Sequence, residues 1–419
     1  MKSLHCTFNP IGMAPEVSLT LPSSKSEWIR LLLLRAMSGE ALAPLSGNAP
    51  TDVQVVHRAL TSGLAGRIDV QDAGTAMRFL TAYAARFATS PVLLQGTERM
   101  HARPIGPLVE ALRSLGADLS YEGAEGFPPL SVRPAAMREG KIRIDAGMSS
   151  QFVSALLLIA PTLPDGLHIE LTSREVSAPY TEMTCRLLTT CGIDLRREES
   201  TIVVRPGTLA PPDNLSATAD WSSASYIYNM VSAGAIKGKV RLDGLVLPPD
   251  SMQADSRAAE LFGRLGVLTI PTERGIALCY RHERQAEDFG SANMRDCPDL
   301  VPALTVCCLL KGVPFRLTGI GHLRLKESDR LEAICTEAGR LGYAVHADGD
   351  ALYWDGERHK AEENPVIRVY KDHRLAMAFA TAAMTTTSGI VLEDASVVGK
   401  SFPDFLGATE LLGLKWEEV

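Results

Sequence analysis

Lys25, Arg30, His373 and Arg374 stand at or beside the starts of segments whose apolar spacing predicts helices. The helix macrodipole disfavours a cation there by ~0.3–1 kcal/mol each. The placement becomes favourable where an anion lies between the cations and the free amide N–H groups of the first turn. Any one of them alone reads as a solvated surface charge. Several, each beside a polar turn, point to phosphate or carboxylate ligands. Lys326-Glu327-Ser328-Asp329-Arg330 adds two cations four residues apart, which one helical turn brings to one face, although an ordinary charged helix start has the same composition. Asp299 lies between Pro298 and the apolar run Leu300 to Leu310. It reads either as a plain N-cap or as a carboxylate beside a low-dielectric wall, where its pKa would rise toward a value useful in acid–base chemistry.

The elements that must position these groups follow two recurring patterns. In the first, a small polar turn opens a very apolar helix: Ser23 to Ser26 before Leu31, Asp72 to Thr75 before Met77, Ser149 to Gln151 before Phe152, Asp220 to Ser223 before Ala224, and Asp372 to Arg374 before Leu375. Ser, Thr and Asp are good N-caps, and capping alone accounts for a turn such as Ser222–Ser223 as well as ligand binding does. In the second, an amphipathic helix ends at a glycine and gives way to two alternating strands. Pro104 suits a first helical turn, Ile105, Leu108, Val109, Leu112 and Leu115 share a face, Gly116 stops the helix, and strands follow near Ala117 to Tyr121 and Leu130 to Arg133. The stop recurs at Gly192, Gly266, Gly342 and Gly413, at spacings of 76, 74, 76 and 71 residues. A shorter, weaker copy ends at Gly63 or Gly66. Up to six copies fit, which predicts two domains of three units each, in mixed α+β layers.

With 419 residues, two domains are also the natural expectation from length. The net charge of −7 argues against a general nucleic-acid binder, whose affinity needs a basic footprint. No secretion signal is visible, because His5, Asn9 and Pro10 interrupt the first apolar residues. The run from Leu300 to Leu310 is far short of the ~20 residues of a membrane span. Eight cysteines without C-x-x-C spacing fit a reduced, cytoplasmic protein. Nine histidines show no metal-ligand spacing, so no metal is expected. No P-loop surrounds Lys25-Ser26, no G-x-S-x-G elbow occurs, and Gly319-Ile320-Gly321 lacks the third glycine of a dinucleotide site.

Nine short motifs in one order carry a resemblance over nearly the whole chain. They are Leu21-Pro22-Ser23-Ser24-Lys25-Ser26 with Arg30, Ala73-Gly74-Thr75-Ala76-Met77-Arg78, Arg103-Pro104-Ile105-Gly106, Ser149-Ser150-Gln151-Phe152 and Ser222-Ser223-Ala224-Ser225-Tyr226, followed by Pro298-Asp299, Lys326 to Arg330, Asp372-His373-Arg374 and Lys400-Ser401-Phe402-Pro403-Asp404. In these the chain resembles the 5-enolpyruvylshikimate-3-phosphate synthase family of enolpyruvyl transferases. The resemblance implies a two-domain inverse α/β barrel of three βαβαββ repeats per domain, with the active site in the interdomain cleft. It places residues 21–218 in one domain and 1–20 with 219–419 in the other.

It further implies transfer of the enolpyruvyl group of phosphoenolpyruvate to the 5-hydroxyl of shikimate 3-phosphate by addition and elimination, in aromatic amino acid synthesis, by a monomer without metal or cofactor. By the same resemblance Asp299 handles the hydroxyl proton, and Glu327 with Lys25 the proton at the enolpyruvyl carbon. Lys25, Arg103, Arg330, Arg374 and Lys400 bind phosphoenolpyruvate, near Gly74 and Thr75, with Gln151 between the substrates. Ser149, Ser150 and Ser177 hold the shikimate phosphate, and Ser26, Arg30 and Lys326 its ring hydroxyls and carboxylate. Ser23, Ile29, Asp72, Ala178 and His322 depart from the residues usual in the family. The competing expectations are UDP-N-acetylglucosamine 1-carboxyvinyltransferase, which typically carries a loop cysteine where this chain has Met100-His101-Ala102, and a catalytically silent, metabolite-binding homologue.

Overall fold

A computed structural model describes residues 3–10, 16–47, 49–138, 140–234, 236, 238–281 and 288–419. The chain divides into two compact units, Met1–Ser23 with Thr218–Val419, and Ser24–Ala217.

One sheet topology is repeated in both. In the unit Ser24–Ala217, strand Gly66–Asp69 runs parallel to Val92–Gln95, Leu130–Arg133 pairs antiparallel on its far side, and Asp118–Tyr121 closes the edge. Gly140–Ile144, Leu167–Leu171, Thr201–Val204 and Leu195–Arg197 repeat that order and those directions. In the other unit Gly290–Asn293, Phe315–Thr318, Ala351–Trp354 and His346–Asp348 do the same. Most strands are short and bury alternate residues, as Leu167, Ile169 and Leu171 do, so one face of the sheet is covered.

The remaining two sheets are completed from the other end of the chain. Glu16–Thr20 supplies the parallel edge strand beside Lys239–Asp243, ahead of Gly275–Tyr280 and Val267–Thr272. Leu4–Phe8 lies between Ile390–Leu392 and Leu414–Glu418, in the sheet that Val366–Ile367 begins.

The five stop glycines share one conformation. Gly116, Gly192, Gly266, Gly342 and Gly413 have φ of 91, 89, 91, 85 and 101°, the left-handed region in which a helix turns sharply into the next strand. At Gly342 a Cβ would also meet the His359 carbonyl oxygen at 2.7 Å, so this turn excludes other residues twice over.

The expected three repeats per domain need one qualification. Among the described residues there are five four-stranded sheets, three in one unit and two in the other, and no closed barrel. Among the described residues the first copy contributes the helices Lys25–Ser38 and Thr51–Thr61 but no strands of its own. The physical reason is chain length, since only Ser62 to Ala65 separate the second of these helices from strand Gly66–Asp69.

Apolar helices form the interior. Trp221–Ser232 and His373–Ala380 bury every residue, as expected of helices apolar on all sides. Both pack on Val301–Lys311. In the unit Ser24–Ala217 the helix Ser150–Ile159 packs on Gly74–Phe87 and on Ala178–Thr190. The polar turns singled out in the sequence open the helices Lys25–Ser38, Gly74–Phe87, Ser150–Ile159, Trp221–Ser232 and His373–Ala380. Among the described residues no helix is long and apolar enough to cross a membrane.

Candidate active site

In the unit Ser24–Ala217, Ser24 caps helix Lys25–Ser38 by accepting the Glu27 N–H at 3.5 Å. The Lys25 ammonium pairs with Asp52, in the first turn of Thr51–Thr61, at 2.9 Å. Helix Gly74–Phe87 has no side-chain cap, so its first N–H groups stay open to an anion. The Arg103 guanidinium lies against this end: a Cβ on Gly74 would be 2.6 Å from both its Nη atoms. Arg103 is 6% exposed, and its Nε and Nη1 have no hydrogen-bond partner among the described residues. A buried guanidinium left unsatisfied beside an uncapped helix start is a site made for a carboxylate or phosphate. Arg78 fixes the surroundings, donating to the carbonyls of Gly74 at 3.3 Å and Pro104 at 2.8 Å.

Gln151 links the next turn to this one, its amide donating to the Thr75 hydroxyl at 3.0 Å. Ser149 caps the Gln151 N–H at 3.2 Å, and Ser150 is buried behind it. Ser177 precedes helix Ala178–Thr190 with φ of 57°, a left-handed conformation uncommon for serine. The neighbouring Glu175 is anchored by Arg197 at 2.7 Å and by the Thr181 hydroxyl. The Val176 N–H donates to the Ala146 carbonyl at 3.1 Å, joining the turns that carry Ser177 and Ser149–Ser150.

Arg30 does not present itself as a ligand in this structure. Its guanidinium is 1% exposed and donates to Thr184 at 2.7 Å, the Ser26 carbonyl at 2.8 Å, and Ser154 and the Tyr180 carbonyl at 3.1 Å each. The full coordination makes it a brace for the Lys25–Ser26 turn, and a substrate carboxylate would have to displace these partners. Ile29 is buried in the same helix, and Asp72 is engaged by the Thr97 hydroxyl.

The second cluster lies in the other unit and is centred on Arg330, the first residue of helix Arg330–Arg340. This guanidinium is 1% exposed and binds three carboxylates: Asp372 at 2.7 Å, Glu327 at 2.8 Å and Asp299 at 3.1 Å. Asp299 also receives Arg374 Nη2 at 2.6 Å, and the Lys400 ammonium stands 3.7 Å from Glu327. Asp372 caps helix His373–Ala380 through the Arg374 N–H at 3.0 Å and accepts the Ser328 hydroxyl at 3.2 Å. His373 is buried in the first turn of that helix.

The electrostatics reverse one expectation. Burial alone would raise the Asp299 carboxyl, but Arg374, Arg330 and Lys326 hold it well below the usual carboxylate range. Burial likewise works against the Arg330 cation, and the surrounding carboxylates, Asp372 first, more than compensate and raise it. The raised carboxyl is instead Asp255, which sequence reasoning missed. Buried and bonded to the Ser222 hydroxyl, it is pushed up to about 7 by burial and then by the Asp299 charge. His322 is pushed down to about 4 by burial and by Lys326, so its imidazole is neutral at pH 7, and its Nε2 has no hydrogen-bond partner among the described residues. Asp255 gave no sequence signal, since an aspartate among alanines and serines reads as a surface turn. Asp372 was visible only as a helix cap. Among the described residues no group of three or more His, Cys, Asp or Glu side chains could hold a metal ion.

Asp255 makes a stability prediction. The folded chain keeps a proton on this carboxyl that the unfolded chain, with the ordinary value of 3.8, has already lost, so its contribution falls as pH rises between 3.8 and about 7. Asp255→Asn removes this dependence. Urea midpoints of the parent and variant should converge near the acid end of that window and separate above its upper end, the variant being the more stable.

Two carboxylates lodged among cations suited to phosphates and carboxylates mark the class, an enzyme acting on small, multiply charged anions. Comparison with known proteins agrees. The profile of EPSP synthase (3-phosphoshikimate 1-carboxyvinyltransferase) matches residues 31–408. A protein of Bacteroides fragilis named 3-phosphoshikimate 1-carboxyvinyltransferase is 42% identical over 401 residues, covering 93% of each chain. One of the same name from Cupriavidus taiwanensis is 34% identical over 431 residues, covering 96% of this chain and 98% of its own. The solved EPSP synthase of Acinetobacter baumannii shares the fold, with a TM-score of 0.73 at 18% identity over 100% of both chains. The chain belongs to the EPSP synthase family.

Proposed function

We propose that the protein moves the enolpyruvyl group of phosphoenolpyruvate to the 5-hydroxyl of shikimate 3-phosphate and releases phosphate, in the pathway to aromatic amino acids. The observation that carries this reading is the sharing of Arg330 by Asp299 and Glu327, with Arg374 and Lys400 on their far sides. A protein that only held anions would gain nothing from carboxylates set beside its cations, because they repel the ligand. Carboxylates belong there when protons must move.

The chemistry has two stages. The substrate oxygen bonds to C2 of phosphoenolpyruvate as Asp299 accepts the hydroxyl proton, and C3 gains a proton to become a methyl group. C3 then gives a proton back as the C2–O bond to phosphate breaks. Glu327 and Lys25 serve the proton at C3. Arg103, Arg330, Arg374 and Lys400 hold the phosphate and carboxylate of phosphoenolpyruvate and stabilise charge that develops on the departing phosphate. Ser149, Ser150 and Ser177 take the shikimate phosphate, with Gln151 between the substrates, Ser26 and Lys326 on the ring, and Arg30 as a brace behind Ser26. The reading includes a cytoplasmic monomer, for which the eight free thiols speak so far as a reducing compartment is concerned.

Phosphate release tests this reading. It should require phosphoenolpyruvate and shikimate 3-phosphate together, and UDP-N-acetylglucosamine should not replace the latter. Turnover of the nucleotide sugar alone would move the protein to the related transferase, a reading the names of its relatives do not favour. Gly74→Ala supplies a finer check. Its new methyl must push the Arg103 guanidinium off the helix end, so the KM for phosphoenolpyruvate should rise about 10- to 100-fold, the worth of a charge-assisted hydrogen bond, with little change in Tm.

A further inference from the structure

The helix Arg330–Arg340 presents two groups to the segment 368–374. At its start, Arg330 Nε donates to Asp372 at 2.7 Å. Seven residues on, about two turns along the same face, Glu337 lies fully buried. Its carboxylate accepts the Arg368 N–H at 3.0 Å and the Tyr370 hydroxyl at 2.7 Å, and pairs with Arg340 Nε at 3.0 Å. Between these two anchors the backbone is forced: Tyr370 and Lys371 have φ of 52 and 56°, left-handed values costing a non-glycine residue about 1 kcal/mol or more each.

Directly after that turn the chain enters the site itself. Asp372 meets Arg330 and caps the next helix, and Arg374 meets Asp299. Two consecutive left-handed residues persist only where their surroundings over-determine them. Glu337 supplies that restraint, since it grips the chain two residues before the strained pair and at its first member. A buried carboxylate is an expensive way to fill a helix face that an apolar side chain would fill at lower cost.

We propose that Glu337 is a positioning residue of the reaction. By holding the Arg368 N–H and the Tyr370 hydroxyl, it maintains the left-handed turn at Tyr370–Lys371 and thereby sets Asp372 on Arg330 and Arg374 on Asp299. Its kinetic test rests on the proposed enolpyruvyl transfer, and amide exchange reads the turn without any substrate.

Tyr370→Phe is the cleanest probe, because that side chain is 40% exposed and the change removes one hydroxyl from a fold that should otherwise stand. Glu337→Ala breaks the whole grip, and Glu337→Gln restores acceptor capacity in part. All three should speed amide exchange across residues 369–374. Tyr370→Phe should raise the KM for phosphoenolpyruvate more than it lowers kcat, with kcat/KM down about 10-fold and Tm nearly unchanged, and Glu337→Ala should lose up to about 100-fold. Glu337→Gln should fall between the parent and Glu337→Ala. Adding Tyr370→Phe to Arg374→Lys should cost little more than Arg374→Lys alone, since both act through the same guanidinium. Unchanged exchange and kinetics in Tyr370→Phe and Glu337→Gln would overturn the proposal. So would a lower Tm in Glu337→Ala with kcat/KM preserved, which is the mark of a merely structural group. If the enolpyruvyl reading failed, faster exchange in the three variants would still support the grip on the turn.

Discussion

Arg330→Met should destabilise the folded chain by ~3–5 kcal/mol at pH 7, the penalty for leaving buried charge without its partner. Asp372, Glu327 and Asp299 all meet this one guanidinium, and Asp372 is 0% exposed. Without the cation three carboxylates face one another in a largely dry site, and some must take up protons to remain there. This fixes the sign of the pH dependence. In the parent, the cations hold Asp299 low, so its contribution to stability is present at neutral pH and is lost as pH falls below the ordinary carboxylate value. In the variant the carboxylates are raised and destabilise the fold at neutral pH. The deficit should therefore be largest near pH 7 and shrink on acidification. Denaturant unfolding at several pH values checks it; a deficit that is small, or constant with pH, would mean that Arg330 does not hold the cluster together.

Asp299→Ala should lower kcat by ~10²–10⁴, the range for a positioned acid–base group. Its folding cost should be smaller, because Arg330 keeps Asp372 and Glu327 as partners. The depressed Asp299 carboxyl is a weak base in the free protein, and the same cations explain how it becomes a better one. Arg330 and Arg374 are also proposed to hold phosphoenolpyruvate, whose negative charges offset theirs and let the Asp299 value rise. The acidic limb of the kcat profile, which reports the bound state, should thus lie at higher pH than that of kcat/KM, which reports the free protein. Asp299→Ala should abolish the difference. Coincident limbs in the parent would separate Asp299 from the proton transfer.

Much of this was readable in the residues because the signals are local. A Ser or Asp ahead of an apolar run is a helix cap in nearly any context, and Ser24, Ser149, Asp220 and Asp372 all cap by side-chain hydrogen bonds. A glycine between an amphipathic helix and a strand has one conformational task, which is why the spacing of Gly116, Gly192, Gly266, Gly342 and Gly413 traced the repeat. Tertiary properties stayed hidden. Arg30 resembles any helix-start cation until Thr184, Ser154 and Tyr180 are seen around it, and Asp255 resembles a turn residue until it is buried beside Asp299. Glu337 sits between Thr336 and Ala338 as a solvated helix glutamate would, and only the return of residues 368–370 explains its burial. The first repeat read as short and weak, and its missing strands reflect the four residues between helix Thr51–Thr61 and strand Gly66–Asp69.

The central claim is that protons are added to and removed from C3 of phosphoenolpyruvate during transfer. Running the reaction in deuterium oxide and weighing the product tests it directly. Addition and elimination predicts deuterium on the vinyl carbon of the enolpyruvyl product, together with inorganic phosphate in equal amount. Product formed at full rate without deuterium would mean that C3 never became a methyl group, and would contradict the roles given to Glu327 and Lys25.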